Sequence, residues 1–179
     1  ATIKEQPVAL AHVRLVADEE GWLEGMRVSP QHRNQHIATE LGMHCLQIAA
    51  GLGARVVRFA AAATNIPIHR VATRLGFQKV SSLVVCQANA ENIRGTLTIE
   101  SSDSLENIFT SIRNSEIYAG AAGLYCHHWT CYRLTKEELA RRLGDGEILS
   151  LRRKDGMALA IISKEFQKTD PVLWPGHCL

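Results

Sequence analysis

Three stretches combine residue types and spacings that could carry chemistry. The first is VSPQHRNQHIATEL, residues 28–41, where a strand-like run ends and a helical one begins. A helix N-terminus offers backbone N–H groups without intrahelical partners and the positive end of the helix dipole. A diphosphate sits well on such a turn, and Arg33 adds a full charge at the junction. The second is Glu24 in GWLEGMRV, a strand carboxylate, a residue type that can exchange protons or equally just face solvent. The third is CHHWTC, with Cys126, His127, His128 and Cys131, residues of zinc-ligand type. Read as one strand, Cys126 and His128 face one side and His127 and Cys131 the other. The four then do not converge, no metal is expected, and they read as structural histidines and core cysteines.

These groups need elements to hold them. QPVALAHVRLV and GWLEGMRV read as two strands, with Gly25 inside the second as the mark of a bulge. From Arg33 to about Leu52 the pattern is helical, with Ile37, Leu41, Cys45, Ile48 and Leu52 spaced by three and four. ARVVRFAAA reads as a buried strand and TNIPIHRVATRLGF as a short helix, with Pro67 in its first turn and Gly76 as its cap. FQKVSSLVV reads as a further strand. This succession predicts α/β architecture with parallel pairing across the first crossover. Past Cys86 the character changes. DSLENIFTSIRNS is a helix with Asp103 and Glu106 at capping-box spacing, and GLYCHHWTCYRL is a strand. Thr135-x-x-Glu138 opens the helix KEELARRL, and EILSLRRKDGMALAIIS is a hairpin turning at Asp155-Gly156.

Composition sets the frame. The chain of 179 residues has 46% hydrophobic and 21% charged residues, ordinary for a globular protein. A net charge of +2 argues against nucleic acid or a membrane as main partner. Neither a leader nor a membrane-length apolar run stands out, so a cytoplasmic location is expected. Five scattered cysteines suit reduced thiols better than a disulfide framework.

Arg33-x-x-His36-x-Ala38 resembles the Arg/Gln-x-x-Gly-x-Gly/Ala signature of the GNAT superfamily of acyl-CoA-dependent N-acetyltransferases. Ala38 is an accepted variant, whereas His36 puts a side chain where backbone approaches the pyrophosphate. GWLEGMRVSP resembles the fourth strand of that superfamily, whose bulge exposes backbone groups to the pantetheine arm. TNIPIHRVATRLGF is similar to Asn-x-x-Ala-x-x-x-Tyr-x-x-x-Gly-Phe in length and at both ends, through Asn65 and Gly76-Phe77. A looser resemblance, through WLEGMRV and YCHHWTCYRL, is to two-part members that include histidine N-acetyltransferase.

The resemblance implies an α/β GNAT fold, a mixed sheet flanked by helices, over residues 1–88, and a second, truncated GNAT-like α/β half over 89–179. It implies acetyl-CoA as cosubstrate, held by Met26, Arg27 and Val28 on the strand, by Arg33, Asn34, Gln35, His36, Ile37, Ala38 and Thr39 at the helix start, and by Asn65. Backbone N–H groups near Met26 and Val28 would polarise the thioester carbonyl. Glu24 matches a position where some members carry a glutamate base. The reaction would be direct transfer of acetyl to a small amine or amino acid, with histone-like tails a weaker acceptor class. Arg55, Arg58, Arg70 and Arg74 could serve the 3′-phosphate of CoA, although such arginines are mostly solvated. The family tyrosine that protonates the departing sulfur is Ala72 here, and no tyrosine precedes Tyr118. That departure, with His36, favours a non-catalytic acyl-CoA-binding or interaction module as the alternative. The family's first strand and two helices are also missing ahead of VALAHVRLV, so further N-terminal sequence or a second copy of the chain is expected to cover that strand.

Overall fold

Alternating apolar and polar residues, broken by the turn at Asp18–Glu19, fold residues 9–28 into an antiparallel hairpin. Its strands are β3 (Ala9–Ala17) and β4 (Glu20–Val28), preceded by a ribbon of two-residue strands, β1 (Thr2–Ile3) and β2 (Gln6–Pro7). The computed structural model describes residues 1–84, 97–127, 129–153, 156–162 and 175–178. These divide into two compact units, Ala1–Lys79 and Val80–Leu179. The boundary expected between residues 88 and 89 lies outside the described residues.

In the first unit, helix α1 (Ile37–Gly51) crosses from β4 to β5 (Val56–Arg58), which pairs parallel to β4 and completes the sheet order β3-β4-β5. The mixed sheet and the parallel crossover are as expected. Helix α2 (Ile66–Arg74) follows, capped by Asn65, whose Oδ1 accepts the Ile68 N–H at 3.4 Å, and stopped by Gly76 at φ 81°.

The details correct the sequence reading in four places. Helix α1 starts at Ile37 rather than Arg33, because Asn34 and His36 both take left-handed φ of 61°. The face that α1 buries is Gly42, Cys45 and Ala49, while Ile48 and Leu52 of the expected stripe are exposed. Small residues let the helix lie close to its neighbours: a Cβ on Gly42 would stand 2.5 Å from Cδ1 of Leu75, at the end of α2, and 3.4 Å from Cε of Met26 on β4. The strand expected in ARVVRFAAA shrinks to three residues. FQKVSSLVV forms no strand over its described part, residues 77–84, where Val80, Leu83 and Val84 are exposed and pair with no strand among the described residues.

The second unit packs α3 (Leu105–Arg113), α4 (Glu116–Gly120) and α5 (Lys136–Gly144) with an antiparallel sheet. That sheet has the order β11-β10-β9-β6, from β6 (Thr98–Ile99), β9 (Ile148–Arg153), β10 (Gly156–Ile162) and β11 (Pro175–Cys178). Its core joins Ile108, Ile112, Tyr125, Leu134, Leu139, Leu143, Ile148, Leu159 and Ile161. The turn residues of the β9–β10 hairpin, Lys154 and Asp155, lie outside the described residues. The Asp103–Glu106 box does not form, since a 3₁₀ turn over Ser102–Ser104 leads into α3 without a side-chain cap. Thr135 does cap α5, accepting the Glu138 N–H at 3.2 Å. Residues 123–134 are not one strand but a hairpin, β7 (Leu124–His127) with β8 (Thr130–Arg133), and Trp129 in its turn has φ 65°. Cys126 and Cys131 therefore stand directly opposite and form a disulfide. This overturns the reading of them as reduced core thiols: facing positions on paired strands, not alternation along one strand, decide which sulfurs meet. Cys45 is buried and free.

Candidate functional site

The sheet of the first unit opens along β4. Strand β5 pairs with β4 only at Glu20, Gly21 and Trp22. This end is clamped by the buried Glu20, whose Oε2 lies 2.9 Å from Arg58 Nη1. From Leu23 to Val28 the same edge of β4 has no strand partner among the described residues. On the other edge, His12 pairs with Glu24 and Leu10 with Arg27, so Gly25 and Met26 together face Ala11. Two residues opposite one make a β-bulge, and Gly25 supplies its left-handed φ of 67°. The bulge thus falls where the sequence places it, at the point where β4 leaves β5.

Met26, Arg27 and Val28 follow the bulge. Arg27 Nη1 donates to the Met26 carbonyl at 3.0 Å, and Arg33 Nε donates to the Val28 carbonyl at 3.3 Å. Arg33 thereby ties the strand end to the loop beyond it. That loop holds a 3₁₀ turn (Pro30–His32), then Arg33, Asn34 and Gln35, with Gln35 Nε2 donating to the Gln31 carbonyl at 3.3 Å. His36 precedes α1 with φ 61° and ψ 1°, and no side chain caps the first turn of Ile37, Ala38 and Thr39. The histidine therefore adopts the backbone that glycine would supply. For an L-residue this costs about 1–2 kcal/mol. The expected residues of 26–39 are brought together as one strand–loop–helix junction. Asn65 stands apart as the cap of α2, its Oδ1 already engaged.

Glu24 sits immediately before the bulge. His12 Nδ1 lies 3.0 Å from its Oε1, and Arg14 Nε donates to the same oxygen at 3.4 Å. Partial burial raises the Glu24 carboxyl. Hydrogen bonds from His12, Arg14 and Trp22, with the Arg14 charge, outweigh it and hold the group below the usual carboxylate value. Sequence reasoning missed His12 and Arg14. The signal was present as a histidine and an arginine two apart on the strand that pairs with Glu24. Ala72, at the family tyrosine position, is a buried packing residue of α2 and brings no hydroxyl. Among the described residues, no three His, Cys, Asp or Glu side chains are grouped to hold a metal.

Residues 1–77 match the model of the acetyltransferase (GNAT) family. Among solved structures, the chain is similar to an aminoglycoside antibiotic 6′-N-acetyltransferase from Acinetobacter haemolyticus, at 26% identity over 51% of this chain and 68% of that one, with TM-score 0.42. It is similar to a protein from Thermoplasma acidophilum assigned provisionally as an acetyltransferase, at 17% identity over 91% of this chain and 55% of that one, with TM-score 0.53. It is also similar to a GCN5-related N-acetyltransferase from Kribbella flavida, at 14% identity over 98% of this chain and 44% of that one, with TM-score 0.40. The chain thus spans about half the length of the last two. No curated protein gives a significant match. The fold is that of the GNAT acetyltransferases, as the sequence motifs implied. The narrower likeness to histidine N-acetyltransferase rests on the sequence motifs alone.

Proposed function

We propose that the first unit, which has the fold of the GNAT acetyltransferases, binds acetyl-CoA and transfers its acetyl group directly to the amine of a small molecule or amino acid. The observation that carries this reading is the coincidence of three features on one chain path. A bulge at Gly25–Met26 opens β4, its β5-side edge beyond Trp22 has no strand partner among the described residues, and α1 begins without a side-chain cap a few residues later. An extended pantetheine arm needs an open strand edge, and a pyrophosphate needs free helix N–H groups. Both lie in order between residues 23 and 39. Residues 26–28 would hold the arm, while Arg33 and residues 34–39 would hold the phosphates. Asn65 is the outlying member of the set. Bound there, acetyl-CoA supplies an activated acyl group. The chain supplies orientation, backbone N–H groups for the carbonyl oxygen, and an ionised Glu24 beside the bulge that attracts an ammonium.

Ala72 supports a second reading, an acyl-CoA-binding module without turnover, since α2 offers no phenol to protonate a departing sulfur. The outer edge of β3 has no strand partner among the described residues, and Leu10 and Leu15 on it are exposed. A second copy of the chain or additional sequence covering that edge belongs to the same proposal. So does a cytoplasmic location, against which the Cys126–Cys131 disulfide weighs.

Titration calorimetry with acetyl-CoA tests the binding half. The chain is expected to bind, and Arg33→Ala to weaken binding by roughly tenfold, the worth of a lost charge-assisted contact. A folded chain that releases no heat with acetyl-CoA would remove the proposal.

A further inference from the structure

We propose that His12 is the group that takes the proton from the acceptor ammonium, with Glu24 as its positioning partner. This deepens the acetyl-transfer reading above and rests on it. His12 occupies the first paired position of β3 after the bulge and faces Glu24 directly across the strands, Nδ1 to Oε1 at 3.0 Å. An ionised carboxylate can only accept hydrogen bonds. The Nδ1 must therefore carry the hydrogen, which makes Nε2 the ring nitrogen open to proton exchange. Glu24 itself is ill-suited to the task. With Arg14 and His12 both donating to Oε1, the carboxylate is stabilised as an anion and is a weak base at neutral pH. Imidazole is the side chain most often used for proton transfer of this kind.

Among the described residues, the charged groups beside the imidazole are Glu24 on β4 and Arg14 on its own strand. Helix α1 also packs on β3. Its Glu40 and His44 are exposed and form no ion pair with His12, and burial keeps its Cys45 a thiol. The proton balance closes without another reagent. The ammonium gives one proton to His12 Nε2, and the freed amine forms the C–N bond as the C–S bond breaks. The second amine proton ends on the sulfur, which meets the absence of a tyrosine at Ala72. The imidazolium then returns its proton to water.

The test compares acceptors that need deprotonation with one that does not. Steady-state acetyl transfer is measured for the chain, His12→Gln and Glu24→Gln, with primary alkylamines and amino acids, which are cationic at neutral pH, and with hydroxylamine, which is already neutral. Acetyl-CoA binding is followed in parallel. The expectation is a loss of about 10²-fold or more for cationic amines in both variants. The hydroxylamine rate and acetyl-CoA affinity should be nearly unchanged, and in a third variant, His12→Ala, added imidazole should partly restore the rate with amines. Equal losses on both acceptor types, or no loss on either, overturn the role of His12 while leaving acetyl transfer in place. A chain that transfers acetyl to none of the acceptors overturns the underlying reading and this inference with it.

Discussion

At the scale of single residues, the most informative is His36. Glycine tolerates the left-handed region freely, whereas a residue with a Cβ occupies it at a cost, yet the structure keeps φ 61° there. The loop before α1 is therefore shaped by its surroundings rather than by local preference. His36→Gly should raise thermal or urea stability by about 0.5–1 kcal/mol, the relief being partly offset by the greater freedom of glycine in the unfolded chain. It should also tighten acetyl-CoA by removing a side chain from the path of the phosphates. Both are read on one protein, by chemical denaturation and by calorimetry. Lower stability together with weaker binding would mean that the imidazole stabilises the loop instead of crowding it.

Elements show where sequence pattern suffices and where it fails. The β3–β4 hairpin, its bulge at Gly25, the parallel crossover to β5, the Gly76 stop of α2 and the cap at Thr135 were all legible, because each follows from runs consecutive in the chain. The pairing of His12 with Glu24 was not. Between Leu15 and Ala17 the register shifts by a residue, and a slip of one exchanges the faces of a strand. The Cys126–Cys131 disulfide was hidden for a related reason: Trp129 at φ 65° turns what looks like one strand into two. In the second unit, α5 carries a buried ionic network that no pattern announces. Arg142, 6% exposed, donates to Glu138 at 3.0 Å, to Glu147 at 2.5 Å and to the Tyr125 hydroxyl at 2.9 Å. The Tyr125 hydroxyl donates in turn to Glu138. Burial raises the Glu138 carboxyl, but Arg141, Tyr125 and Arg142 together lower it to about 2. A carboxyl whose folded value is depressed contributes stability above its unfolded value, about 4.3, and loses that contribution as pH falls towards about 2. Urea unfolding of the chain is expected to show this loss over that interval. Glu138→Gln should remove about 2 kcal/mol at neutral pH by taking away one of the two carboxylates that pair with the buried Arg142, Glu147 remaining, and should flatten the acid limb. An unchanged midpoint would show the network to be energetically idle.

For the molecule as a whole, the first unit was readable because its motifs follow one another along the chain, from strand to bulge to loop to helix. In the second unit α3, α5 and the β9–β10 hairpin were readable in the same way, whereas the core that joins residues from α3 to β10 was not, because those residues lie far apart in sequence. No helix among the described residues is long and apolar enough to cross a membrane. The central claim is that an open β4 edge and an uncapped helix serve acetyl transfer. It is tested most directly by following release of free CoA thiol from acetyl-CoA across a panel of primary amines and amino acids. The account predicts thiol release that needs both acetyl-CoA and an amine, saturates in each, and is matched by acetylated amine in equal amount. Binding of acetyl-CoA with no amine-dependent thiol release would contradict it and leave the chain an acyl-CoA-binding module.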